Sequence, residues 1–253
     1  MSLTAKLLLS PLLVAQALHT RRKLPRLPEA EGERRGMVGE GVPLRLLIAG
    51  DSSAAGVGVV SQRDALAGQL SARLAEACVA RVHWRLVAQS GLTTAQTLHL
   101  LQREVSGHDT QRDGPRHFDI AVVVTGVNDV VDQVPSHRAV GAREALANWL
   151  RNAHGVHHVV FAPLPPVHEF PGLPQPLRWV AGSDARRHDA AMARWAATRG
   201  DVSRVEMEVQ LNRGVMASDG FHPGEPVYRQ CAGAIAHHIA TRVWPHVPKE
   251  TAS

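Results

Sequence analysis

Leu44-Arg-Leu-Leu-Ile-Ala-Gly-Asp-Ser-Ser-Ala-Ala-Gly-Val-Gly58 decides how the rest of the chain is read, because an apolar run passes straight into a turn of small residues carrying Gly50, Asp51 and Ser52. A short Leu/Ile run bounded by Gly fits a buried parallel strand, and parallel sheets place the residues just past their carboxyl edge at a ligand crevice. Ser52 is expected in that crevice.

Outward from this stretch, strand and helix signals alternate. Gln62 to Cys78 sets Ala65, Leu66, Leu70, Leu74 and Ala77 at helical spacing, and Val82 to Ala88 reads as a second strand. The loop Gln89-Ser-Gly-Leu-Thr-Thr94 carries capping hydroxyls and leads into a helix through Leu101. Phe118-Asp-Ile-Ala-Val-Val-Val-Thr125 is the clearest buried strand and ends in Gly126-Val-Asn-Asp129. Ser136 to Ala153 predicts a helix, Val156 to Ala162 a fourth strand, Arg178 to Thr198 a helix, Ser203 to Val209 a last strand, and Glu225 to Val243 a closing helix. The pattern predicts a single α/β domain with a parallel sheet of about five strands and helices on both faces. Pro163 to Pro176 is too rich in proline for strand or helix and is expected to wall a substrate site, with Phe170 and Leu173 as the acyl contacts.

The 253 residues, 44% hydrophobic and 20% charged, are ordinary for one soluble globular domain, so neither wholesale disorder nor a multi-span membrane protein is indicated. The net charge of +5 is spread along the chain, and no nucleic-acid motif accompanies it. Cys78 and Cys231 fall in predicted helices far apart in sequence and read as small core residues. The fifteen histidines include His154, His157, His158 and the pair His237-His238, without the acidic or Cys neighbours of a metal site. Trp179 and Trp195 read as core.

The N-terminus stands apart. Leu7 to Leu18 is apolar and is followed by Arg21, Arg22, Lys23 and Arg26. It is short for a spanning helix, which needs about 20 apolar residues. As an interfacial or packing helix, residues 7–26 would make peripheral contact with anionic lipid and leave the protein cytoplasmic or membrane-associated. As a signal peptide cleaved near Ala17, residues 1–17 would direct export. Pro28 to Gly41 is polar and Gly-rich and reads as a linker. The chain thus divides into an N-terminal segment and linker over 1–41, one domain over 42–245 and a tail over 246–253.

The glycines after the first strand invite a phosphate-loop reading, which fails. Five residues separate Gly50 from Gly56, Val57 stands where the Walker lysine would be, and Gly56-Val-Gly58 lacks the third glycine of a dinucleotide fingerprint. Ala54 also breaks the lipase elbow G-x-S-x-G. By itself Ser52 reads more readily as a helix cap than as a nucleophile. Its meaning changes because other strand ends and turns supply the groups acyl transfer requires.

A hydroxyl needs a base to take its proton as it attacks, and His222 is the candidate. Asp219, three residues earlier in a turn with Gly220, is close enough to hold the imidazole tautomer. The developing oxyanion needs donors, and the Ser52 and Gly91 backbone N–H groups with the Asn128 side-chain amide are placed to supply them.

Four blocks, Gly50-Asp-Ser52, Gly91, Gly126-Val-Asn-Asp129 and Asp219-Gly-Phe-His-Pro223, resemble those of the SGNH hydrolases, also called GDSL esterases and lipases. The resemblance runs from about Leu44 to His238. It implies a flavodoxin-like three-layer α/β/α sandwich, Ser52 as nucleophile, His222 as base, Asp219 as orienting acid, and Ser52, Gly91 and Asn128 as oxyanion donors, with no metal or organic cofactor. Ser53 departs from the Leu that often follows the nucleophile. The expected activity is hydrolysis of small-molecule carboxylic esters with short or medium acyl chains. The same residues would serve a thioesterase, lysophospholipase, sugar O-acetylesterase or acyltransferase, and the fold alone could serve a non-catalytic binding protein.

Overall fold

The computed structural model describes residues 3–105 and 117–248, with side chains from Leu9 onward. Residues 249–253 of the predicted tail, and the side chains of Lys6 and Leu7, lie outside the described residues. Among the described residues the sheet has six strands: β1 (Arg35–Val38), β2 (Val42–Gly50), β3 (Ala80–Ala88), β4 (Ile120–Val124), β5 (His158–Phe161) and β6 (Val202–Arg204). Their spatial order is β1-β3-β2-β4-β5-β6, and all neighbours are parallel except β1, which pairs antiparallel with β3.

Eight α-helices accompany these strands among the described residues: α1 (Leu3–Lys23), α2 (Ser52–Ala55), α3 (Leu66–Cys78), α4 (Thr94–Val105), α5 (Val127–Val131), α6 (Ser136–His154), α7 (Leu177–Ala196) and α8 (Glu225–His238). The alternation of β2 divides the core in two. Leu44, Leu46 and Ile48 face α3 and α8, where Leu70, Leu74, Ala232 and Ile235 are fully buried. Leu47 and Ala49 face the opposite layer, where Leu101, Leu146, Leu150 and Met192 of α4, α6 and α7 close over them. A strand buried on both faces needs a continuous apolar run where it is covered, and Leu46 to Ala49 supply it.

Three expectations require correction. The predicted linker contains β1, whose residues are mostly exposed; it is held by backbone pairing from Arg35 opposite Arg85 to Val38 opposite Val82, so no burial pattern marks it. The last strand, expected over Ser203 to Val209, stops at Arg204 because only Val202 to Arg204 pair with β5. Trp195 does pack edge-on against Phe161, with ring centroids 5.6 Å apart. Trp179, expected in the core, is 48% exposed in the first turn of α7. Neither Cys78 nor Cys231, both half-buried, is in a disulfide, and burial pushes the Cys231 thiol up to about 12.

After β2 the chain moves outward to β3 on one side, while β4 lies on the other. The carboxyl ends of β2 and β4 therefore flank the topological switch point, the place where open α/β sheets hold ligands. Ser52 follows β2 there by two residues, Gly91 follows β3 and Asn128 follows β4.

Candidate active site

The turn that presents Ser52 is fixed by its backbone. Gly50 has φ of 156°, and a Cβ there would stand 2.1 Å from the Val124 carbonyl oxygen of β4, so the chain can leave the sheet this way only with glycine. The Asp51 N–H then donates to that same Val124 oxygen at 3.1 Å. Asp51 caps α2 by accepting from the Ser53 N–H at 3.0 Å. Ser52 is the first residue of α2, so its own N–H has no intrahelical partner and is free for a ligand.

His222 lies 170 residues further on, in a turn closed by the Ala217 N–H donating to the His222 carbonyl at 2.9 Å. The turns of Ser52 and His222 abut. A Cβ on Gly58 would stand 2.1 Å from the Pro223 carbonyl oxygen, and the Tyr228 hydroxyl at the start of α8 donates to the Val57 carbonyl at 2.7 Å. The contact brings His222 Nε2 to 3.1 Å from Ser52 Oγ. Behind it, His222 Nδ1 is 2.6 Å from Asp219 Oδ2. The other Asp219 oxygen accepts from the backbone N–H groups of Phe221 and His222, both at 2.9 Å.

Burial alone would raise the Asp219 carboxyl, but its bonds from the His222 ring and from the two backbone N–H groups outweigh burial and hold it below the ordinary carboxylate value. An anion at Asp219 fixes the tautomer of His222: Nδ1 carries the hydrogen and donates to Asp219, leaving the Nε2 lone pair facing the serine hydroxyl. That is the arrangement in which an imidazole can accept a proton from Ser52 Oγ.

The Asn128 amide donates to the Leu92 carbonyl at 3.0 Å and reaches toward Asp51 Oδ2 at 3.5 Å, tying together the neighbours of Gly91 and Ser52. Gly91 is exposed in the turn after β3 with φ of 85°, and no atom lies within 4 Å of where a Cβ would stand; its glycine is required by conformation, and the space beside it is open. The proline-rich loop reaches the same turn as the histidine, since the Gly172 N–H donates to the Gly220 carbonyl at 2.8 Å. Phe170 is buried and meets Phe221 edge-on at 5.2 Å, whereas Leu173 keeps partial exposure.

Sequence reasoning missed the groups beneath these. Asp129, next to Asn128, accepts from the Thr94 N–H at 3.1 Å and from the Thr94 hydroxyl at 2.6 Å. Arg143 of α6, with no exposed surface, approaches Asp129 Oδ2 at 3.6 Å. Neither residue stands out in a pattern of polar and apolar positions, although an acid directly after Asn128 at a strand end was a signal for Asp129. Among the described residues no group of His, Cys, Asp and Glu could hold a metal ion.

Residues 48–230 match the GDSL-like lipase/acylhydrolase family, a stretch that contains every one of these turns. The chain belongs to that family. Among curated proteins none matches the sequence. Among solved structures it is similar to the lipase Lip_vut3 from a goat rumen metagenome, at 17% identity and a TM-score of 0.61 over 79% of this chain and 99% of that one. A lipase/acylhydrolase from Enterococcus faecalis is similar at 19% identity and a TM-score of 0.55, covering 83% of this chain and 100% of that one. Est24, a carbohydrate acetylesterase from Sinorhizobium meliloti, is similar at 14% identity and 0.56, covering 78% and 98%. At these identities the likeness is one of fold: the chain has the three-layer α/β/α architecture of the GDSL/SGNH hydrolases.

Proposed function

We propose that the chain is a serine esterase hydrolysing carboxylic esters through an acyl-enzyme on Ser52. The observation that carries the reading is the Ser52–His222–Asp219 chain of contacts, 3.1 Å and 2.6 Å long. Ser52 Oγ attacks the ester carbonyl while His222 Nε2 takes its proton, and Asp219 stabilises the imidazolium that forms. The tetrahedral intermediate's oxyanion is held by the Ser52 and Gly91 N–H groups and by Asn128, which turns one amide hydrogen toward it. His222 then protonates the departing alcohol, and water repeats the sequence in reverse to release the acid and restore Ser52. Family membership supports acyl hydrolysis as the reaction type.

Short and medium acyl groups are the proposed substrates, with half-buried Leu173 of the proline-rich loop as the acyl contact and Phe170, buried against Phe221, as packing rather than contact. Rates on p-nitrophenyl esters of increasing length should peak early, and a steady rise toward long chains would exclude this preference. The central test is labelling with a fluorophosphonate. Native protein should be labelled at Ser52 and Ser52→Ala should not; an unlabelled native protein ends the esterase reading.

A further inference from the structure

Helix α1 is fastened to the domain by one face and leaves another bare. Leu9, Leu13, Gln16 and Thr20, spaced four, three and four apart, form the face that is buried or half-buried. Gln16 makes the attachment: its amide donates to the Gln175 carbonyl at 2.7 Å and its oxygen accepts from the Leu177 N–H at 3.1 Å. The opposite face carries Pro11, Val14, Ala15 and Leu18, all exposed, with Leu12 at its flank. Val14 is 57% exposed, Leu18 53% and Leu12 48%. An apolar stripe facing water is the reverse of what a helix packed on a soluble domain shows.

The charge around this stripe is of one sign. Residues 1–28 contain Lys6, Arg21, Arg22, Lys23 and Arg26 and no acidic residue. A cavity of about 390 Å³ at the end of the helix is lined by Leu18, Leu24, Arg21, Arg22 and Arg26, none of them a residue of the site around Ser52. An apolar face beside a basic pocket offers an anionic lipid surface both a stripe for its acyl chains and cations for its phosphates. The stripe offers no polar side chain for directional recognition, and a second copy's α1 would bring no carboxylate to answer the arginines. Among the described residues no helix is long and apolar enough to cross a membrane.

We propose that the outward face of α1 and the basic cavity at its end dock the protein on an anionic membrane surface. The exposed Trp179 sits in the helical turn that Gln16 grips, and indole is favoured at the boundary between headgroups and acyl chains. The proposal is independent of the esterase reading.

The test uses the full chain in flotation with vesicles of phosphatidylcholine alone and of equal parts phosphatidylcholine and phosphatidylglycerol. The protein should float only with the anionic vesicles and be released by high salt. Arg21→Gln with Arg22→Gln should weaken binding about 25-fold, from about fivefold per charge. Val14→Glu with Leu18→Glu should abolish it while leaving the thermal melt unchanged, which separates lost docking from lost folding. Equal binding to both vesicles, binding to neither, or undiminished binding by the glutamate variant would overturn the proposal. So would a dimer that the glutamate variant dissolves, or a mature chain that begins near Leu18.

Discussion

Asp219 and Asp129 are both buried carboxylates beside the same crevice, and they are built in opposite ways. Every partner of Asp219 lies within three residues: two backbone N–H groups on one oxygen and the His222 ring on the other. The partners of Asp129 come from other elements, Thr94 at the start of α4 and Arg143 on α6. A local turn can deliver a carboxylate to one ring with fixed geometry wherever the turn is placed. A long-range cluster fixes where the turns themselves stand. In the proposed mechanism Asp219 serves the chemistry while Asp129 holds the scaffold, and each role has its own failure signature.

The largest expected effect is on the chemical side. Asp219→Asn keeps an oxygen for the backbone N–H groups but offers His222 Nδ1 a donor, so the ring must take the wrong tautomer. The kcat on a soluble ester should fall about 10⁴-fold with little change in melting temperature. A loss below tenfold would remove Asp219 from the proposed triad.

Next comes the scaffold side. Arg143→Met removes one partner of a buried pair and should cost about 3–5 kcal/mol, leaving Asp129 without its countercharge. At roughly 2–4 °C per kcal/mol for a chain of this size, the melt should fall by about 6–20 °C. Residual folded protein should retain kcat within about tenfold, since Arg143 touches no reacting atom. Adding Asp129→Asn should restore part of the melt, because the double variant buries no charge. If Arg143→Met melts like the native protein, the pair is not a scaffold element and the contrast with Asp219 fails.

The sequence carries these two carboxylates unequally, for the same reason. Asp219 and His222 are three residues apart around a Gly, so their contact is written in the local pattern. Ser52 and His222 are 170 residues apart, and only the strand-end placement of Ser52 and the resemblance of the four blocks to SGNH hydrolases joined them. The strands built on Leu46 to Ala49 and Ile120 to Val124 were legible because burial on both faces demands a continuous apolar run. Strand β1 was not, since an exposed edge pairs through backbone groups that every residue possesses. Arg143 looks like any polar position on the amphipathic α6, and Trp179 like any core aromatic. Their burial and exposure are set by which helix packs where, a tertiary fact without a local signature.

A third carboxylate sharpens the comparison with the smallest effect. Asp51 is buried, and burial raises its carboxyl from 3.8 to about 7, opposed by its bond from the Ser53 N–H and by nearby His222 and reinforced by Asp129. The folded state thus binds this proton more tightly than the unfolded chain does. Its contribution favours folding at low pH and is lost progressively as pH rises from about 4 to about 7, the reverse of Asp219, whose depressed carboxyl favours folding at higher pH. Asp51→Asn keeps the oxygen that caps α2 and cannot titrate. Relative to this variant, the native protein should lose about 2 kcal/mol between pH 5 and pH 7. Denaturant unfolding across that range reads the difference directly. A native-minus-variant difference that stays flat would mean Asp51 ionises as freely as an exposed carboxylate. The turn carrying Ser52 would then hold its acid by hydrogen bonds, as the Asp219 turn does.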